Sequence, residues 1–215
     1  MPVRKVKAGY SNLTARVPSE KLSRMADAES SLERDFILLL EHNGDVVTYE
    51  EQPLTIKYGA LKYTPDVLVQ YSDGSRVLFE IKYRNELEKN WEKLKPKFKA
   101  AIKYGKQNGI KFKIMTDVEI RTPYLKNLEF LSHFNRTVSP VESSMSETLL
   151  STLGLLGTST PRELLVACFS NKMQQAEAAP VLWRLIFNKN ILTNLDLPLS
   201  MYSQLNVDPS LGDIF

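Results

Sequence analysis

Cysteine and histidine are nearly absent from this chain of 215 residues, which holds one Cys, Cys168, and two His, His42 and His133. A single thiol cannot close an intramolecular disulfide. Its place in an apolar helical stretch reads as a small buried hydrophobe in a reducing compartment. Two distant imidazoles exclude zinc sites of the Cys/His type and leave little for a histidine-activated nucleophile. No run reaches the ~18 apolar residues a membrane span needs, so no membrane association is expected. The opening MPVRKVKAGYSNL is basic without an apolar core, and no secretory signal is expected. Neither GxxxxGKS/T nor GxGxxG occurs, which removes the common phosphate-cradling loops.

What is present is charge, unevenly placed. The formal net charge of +3 hides the asymmetry. Residues 1–24 carry six basic side chains against Glu20 alone. Residues 82–113 carry ten Lys and Arg84 against three Glu. Residues 141–215 are acidic, with seven carboxylates against four cations. Clustered Lys and Arg in the first half point to phosphate contacts and hence to nucleic acid. A solvated helix face is the plain alternative for the Lys-rich stretch.

Length and pattern predict a medium domain followed by a small one. Residues 1–24 read as a flexible basic arm. A helix is predicted from about residue 27 to 42 on the spacing of Leu32, Phe36, Leu39 and Leu40. Strands follow in VVTYEEQ, LTIKYG and the pair within TPDVLVQYSDGSRVLFEIKYR. One long helix is predicted over about 86–107, with Trp91, Leu94, Phe98, Ala101 and Ile102 on one face. A strand in KFKIMTD and a helix over about 122–134 complete an α-β-β-β-β-α-β-α order. That order favours an α/β fold with a mixed sheet flanked by helices. The first domain is expected over 25–137, with a polar linker at 138–147. Thr160-Pro161-Arg162-Glu163 is a capping box with Pro at the first helical position. Helices there, followed by a small β ribbon, suit a winged-helix-like domain over 148–205, with a loose tail at 206–215.

The chemistry concentrates in the hairpin. Residues two apart on a strand share a face, so Glu80 and Lys82 stand together while Val77, Phe79 and Ile81 face the other way. A two-residue Asp73-Gly74 turn would oppose Asp66 to Ile81 and bury an unpaired carboxylate. A three-residue Ser72-Asp73-Gly74 loop with Gly74 in the left-handed region pairs Tyr71 with Ser75 instead. Asp66 then opposes Glu80, with Cβ atoms about 4.5–5.5 Å apart. Two carboxylates so close require a positive partner. Lys82 supplies part of it, and an oxygen-ligated Mg²⁺, or Mn²⁺ in its place, supplies more. Glu33 borders the core-facing stripe of its helix and is the third acid, with Glu29 one turn earlier as the alternative. Such a site suits phosphodiester hydrolysis, the metal activating a water and Lys82 steadying the charge that develops.

Pro-Asp, a short hairpin, Glu-x-Lys and an upstream helical Glu match the PD-(D/E)xK nuclease pattern. More narrowly, SSLERDFILLLE, EEQPL, YTPDVLVQYSDGSRVLFEIKYR and KIMTDVEI resemble, in order, TnsA, the endonuclease subunit of heteromeric bacterial transposons. The resemblance implies a restriction-endonuclease-like domain followed by a C-terminal domain with a winged helix. It implies a magnesium-dependent DNA endonuclease, acting in the bacterial cytoplasm and on the nucleoid when assembled. Such a subunit cuts double-stranded DNA at the 5′ transposon ends. A partner transposase, TnsB, handles the 3′ ends, and the AAA+ regulator TnsC is contacted through the C-terminal part. Carried over by motif, Glu33, Asp66 and Glu80 hold the metal and Lys82 completes the catalytic set. Some members have Gln at the position of Glu80. Gln52 also fits a family motif, with bracing of the sheet as its plain role. Asp117 and Glu119 read as a turn or cap after the strand, with an indirect contact to DNA or metal as the alternative. An independent restriction or repair nuclease, and a non-catalytic scaffold bridging DNA and a regulator, are the competing readings.

Overall fold

The computed structural model describes residues 15–136 and 139–207. The chain separates into two compact units that divide between Arg121 and Thr122. Among the described residues no helix is long and apolar enough to cross a membrane.

The first unit opens with β1 (Ala15–Ser19) and β2 (Arg24–Ala28), an antiparallel hairpin. Residues 15–24 of the arm expected over 1–24 are thus part of a folded hairpin, and residues 1–14 lie outside the described ones. Glu51 anchors the hairpin. This buried carboxylate accepts hydrogen bonds from both terminal nitrogens of Arg24 and from the Asp27 amide. Lys21 adds hydrogen bonds to the carbonyls of Asn43 and Val46. Two of the basic residues that suggested a phosphate-seeking arm, Lys21 and Arg24, are spent on this anchor.

Helix α1 (Ser31–His42) starts where the Ser30 side chain accepts the Glu33 amide, at 3.1 Å. Its inner face buries Leu32, Phe36, Ile37 and Leu40, and also Asp35. Asp35 is balanced by Arg34 at 2.7 Å and Arg121 at 2.8 Å. Next come β3 (Val46–Glu51), the separate hairpin β4 (Ile56–Tyr58) and β5 (Leu61–Tyr63), then β6 (Val67–Tyr71) and β7 (Arg76–Ile81).

Two helices, α2 (Arg84–Lys89) and α3 (Trp91–Asn108), replace the single long helix expected. Asn90 steps out at φ −111°, ψ 15° and starts α3 afresh. Pro96 still lies inside α3, past its first turn. Trp91 and Ile102, expected on the buried face, are exposed. Gly109, left-handed at φ 65°, ends α3. Strand β8 (Lys111–Met115) and the short α4 (Asp117–Ile120) close the unit.

The sheet order is β3-β6-β7-β8, antiparallel except for the parallel pair β7/β8. The crossover through α2 and α3 makes β8 parallel. This is the mixed, helix-flanked sheet expected of a restriction-endonuclease-like fold. Central β7 is buried on both faces from Val77 to Ile81. Phe79 packs against Phe36 of α1 with tilted rings, their centroids 5.0 Å apart. The opposite face, with Leu78 and Glu80, lies toward α3 and the β4–β5 hairpin, whose Ile56 and Tyr63 pack with Ala101.

The second unit comprises α5 (Pro123–Ser132), α6 (Pro140–Leu156), β9 (Thr158–Ser159), α7 (Pro161–Cys168), α8 (Lys172–Phe187), β10 (Ile191–Leu192) and β11 (Leu205–Val207). The strands form an antiparallel ribbon ordered β10-β11-β9. Two expectations change here. The segment read as a linker, 138–147, largely belongs to α6, because Ser139 and Glu142 form a capping box with Pro140 at the first position. Helix α5, expected in the first domain, packs in the second. Leu131 joins Leu149, Leu153, Leu164, Leu182, Ile191 and Leu205 in one core. Asn127 pins the β10–β11 loop, donating to Leu195 and Leu197 carbonyls at 2.8 Å each and accepting the Leu199 amide at 3.1 Å. Of the tail expected over 206–215, Asn206 and Val207 belong to β11, and 208–215 lie outside the described residues.

Candidate active site

The β6–β7 turn sets the site's register. Gly74 is left-handed at φ 79°, and the Tyr71 amide bonds the Ser75 carbonyl at 2.9 Å. The ladder runs Gln70↔Arg76 to Val67↔Phe79. One step further, Asp66 falls beside Glu80, as the three-residue loop requires. The Asp66 amide bonds the Phe79 carbonyl at 3.1 Å, and its carbonyl receives the Gln52 amide at 2.8 Å. The backbone at Asp66 is thus held from both neighbouring strands.

Each acidic side chain has a defined hold. Asp66 Oδ2 accepts the Ile81 amide at 2.6 Å, and among the described residues no hydrogen bond reaches Oδ1. Burial, then the negative charges of Glu80 and Glu33, push the Asp66 carboxyl well above the ordinary carboxylate range. Glu33 accepts the Glu29 amide and the Ser30 hydroxyl, each at 2.9 Å. Burial raises its carboxyl too, although these hydrogen bonds and the charge of Lys82 oppose the rise. Glu80 is 1% exposed. Its Oε2 accepts the Tyr63 phenol at 2.6 Å, and its Oε1 accepts the Lys97 ammonium at 2.7 Å. Lys82, the next residue on that face, places Nζ 3.8 Å from the same Oε1.

Glu33, Asp66, Glu80 and Lys82 are therefore close enough to influence one another's charge. Among the described residues, however, no three acidic, His or Cys side chains converge into a ready metal cage. The reason is local. Glu33 is engaged at the start of its own helix, and both Glu80 oxygens already carry donors. The donor chemistry still suits a hard divalent ion, since Asp66 keeps a free oxygen within a cluster of acids that repel one another. Glu29 offers its amide to Glu33 rather than its carboxylate to the cluster.

Tyr63 and Lys97 were missed in the sequence. Tyr63 had no distinguishing pattern. Lys97 did: it lies between Leu94 and Ala101 on the inner stripe of α3, three residues after one and four before the other. Its side chain is 19% exposed, with Nζ 4.7 Å from the centre of the Tyr63 ring. Gln52 sits at φ 46°, unusual for a residue with a side chain. Its amide braces Asp66, but its Oε1 is buried with no hydrogen-bond partner among the described residues. Asp117 and Glu119 are structural. Glu119 completes a capping box with Thr116 and pairs with Arg84 at 2.6 Å, and Asp117 accepts the Arg84 amide at 2.7 Å.

Comparison with known families gives two matches in tandem. Residues 43–117 match the family described as TnsA-like endonuclease N terminal, and residues 119–195 match TnsA endonuclease C terminal. The change from one match to the next falls beside the break between the two compact units. No curated protein matches the chain.

Proposed function

Because the chain belongs to the TnsA endonuclease family, we propose that it hydrolyses one phosphodiester bond at each 5′ end of a transposon, using Mg²⁺ held by Asp66, Glu80 and Glu33. One observation carries this reading. The β6–β7 register sets Asp66 beside Glu80, with Lys82 following on the same face. Asp66, buried beside the charges of Glu80 and Glu33, is a costly placement that a divalent cation would offset. A divalent ion bound there polarises a phosphoryl oxygen and acidifies a water.

The chain's own residues divide the remaining work. Asp66 Oδ1 is an open ligand position, and the Ile81 amide fixes the orientation of its carboxylate. Glu80 is oriented by Tyr63 and Lys97. Lys82 is 30% exposed, so its ammonium can reach a substrate from solvent. It donates to the attacking water or to phosphate oxygens as their negative charge grows.

The Lys-rich face of α3 and β8 suits the DNA backbone. The second unit suits a protein partner better. Read as a winged helix, it would use α8 as its recognition helix, yet Arg184 on α8 is buried and bonded to Ser146. Leu155, Met173 and Tyr202 are exposed apolar side chains there, 90%, 71% and 68% accessible. We assign this unit to the AAA+ regulator TnsC, with TnsB the transposase for the 3′ ends and the bacterial cytoplasm as the setting. Family membership speaks for transposition over restriction or repair.

The test is excision with the partner subunits present and the 5′ cuts mapped on labelled strands. Lys82→Ala should lower 5′ cutting at least ~100-fold while 3′ cutting persists. An unchanged 5′ product would leave the chain as a scaffold with a vestigial site.

A further inference from the structure

The Lys97 ammonium has an unusual setting for one residue in a Lys-rich stretch. It is mostly buried, 2.7 Å from Glu80 Oε1, and rests against the rings of Tyr63 and Phe98 at 4.7 Å and 5.2 Å. A solvated surface lysine has no need of such a berth. A Lys stem ordered inside a protein gives up rotamer freedom, and its charge gives up hydration. Both costs are offset only by a strong counter-charge, here the Glu80 carboxylate, 1% exposed.

Lys82 approaches the same oxygen no closer than 3.8 Å. The two ammonium groups are therefore not equivalent. Lys97 makes the hydrogen bond, whereas Lys82 contributes charge at longer range and remains accessible. On the other carboxylate oxygen the Tyr63 phenol donates at 2.6 Å. The carboxylate is clamped by two donors from elements outside the β6–β7 hairpin, one from α3 and one from β5.

We propose that Lys97 is a positioning residue that acts through Glu80. It is the resident cation of the metal-free site, and it competes with a divalent ion for Glu80 Oε1. A fixed positive charge beside a ligand oxygen weakens that oxygen's attraction for a dication. Ion binding therefore displaces the Lys97 ammonium from Oε1. The site stays folded without metal because Lys97 neutralises Glu80, and it takes up metal weakly for the same reason. Lys82 keeps its separate role toward the substrate. This inference rests on the metal-dependent reading of the site.

Mn²⁺ binding to the full-length, metal-free chain is measured by loss of the free-ion electron paramagnetic resonance signal. Lys97→Met should bind Mn²⁺ about tenfold more tightly than wild type. Lys97→Arg, which keeps the charge, should bind as wild type does. Equal or weaker binding by a folded Lys97→Met, or equal tightening by Lys97→Arg, overturns the proposal. A purely structural lysine would move stability without tightening the ion.

Should Lys97→Met not fold, the wild-type chain still answers through competitive amine labelling read by mass spectrometry. Labelling at Lys97 should rise severalfold on adding Mg²⁺, and an unchanged extent overturns the proposal. Wild type that binds no Mn²⁺ at all overturns the metal reading itself as well. Wild type that binds Mn²⁺ while Lys97→Met shows no gain overturns only the role of Lys97.

Discussion

At the scale of single residues, the acids of the site trade stability for chemistry. The Asp66 carboxyl is held well above its ordinary range by burial and by the charges of Glu80 and Glu33. A carboxyl with a raised folded-state pKa destabilises the fold wherever it is ionised. That cost is present above the folded value and disappears as pH falls below the ordinary value of about 4. Asp66→Asn keeps an acceptor for the Ile81 amide and removes the repulsion. In the metal-free protein it should raise stability at pH 7 by about 1 kcal/mol, a gain that shrinks toward pH 4. Thermal melts at both pH values check this, and 5′ cutting should be lost in the same variant.

At the scale of elements, two joints deserve mutation. The β1–β2 hairpin is tied to β3 by Arg24 and the buried Glu51. Burial pushes Glu51 up, but the Arg24 hydrogen bonds and the Asp27 amide bring it below the usual range. A depressed folded-state pKa contributes stability above the ordinary value of about 4.3, and this is lost as pH falls through the folded value. Glu51→Gln should cost about 2 kcal/mol at pH 7, since Arg24 is partly solvent-screened. The difference from wild type should narrow near pH 3 in denaturant melts.

The α3–β8 joint depends on Gly105. A Cβ there would meet the Ile110 carbonyl oxygen at 2.3 Å, on a backbone already fixed by the Ile110 amide bonded to the Gly105 carbonyl at 2.9 Å. Gly105→Ala should destabilise the chain by about 2–3 kcal/mol, despite alanine's better helix propensity. Chemical denaturation measures the sign directly.

At the scale of the whole molecule, the break at Arg121/Thr122 decides how the chain can be divided. A fragment of residues 122–215 keeps α5, and with it Leu131 and the Asn127 clamp on the β10–β11 loop. It should melt cooperatively by circular dichroism. A fragment of residues 138–215 loses both and should melt at least about 10 °C lower, or not fold. Equal melting of the two fragments would remove α5 from the second core.

Much of this was legible because local rules sufficed. The Gly74 loop chemistry gave the β6–β7 register, and the alternation of Val77, Phe79 and Ile81 with Glu80 gave the strand's two faces. The Thr160 and Glu163 box marked the start of α7, and the order of motifs pointed to the family. Local rules failed where a distant partner decided the outcome. Residues 15–24 read as a loose arm because they are polar and basic without sustained periodicity, and the partner that anchors Arg24, Glu51, lies on another strand. Residues 139–147 read as a linker because their polarity outweighed a capping box in plain view. Asp35 is a charge inside a core stripe that its pairing with Arg121, from α4's far end, makes tolerable.

The sequence alone determined the strand register, the placing of Asp66, Glu80 and Lys82, and the family. These follow from turn geometry, period-two alternation and motif order, which act over a few residues. The tertiary structure alone decided what neutralises Glu80. Only the packing of α3 and the β4–β5 hairpin on β7 brings Lys97 and Tyr63 to that carboxylate; helical spacing marks Lys97 as inward-facing but cannot name its partner on another element.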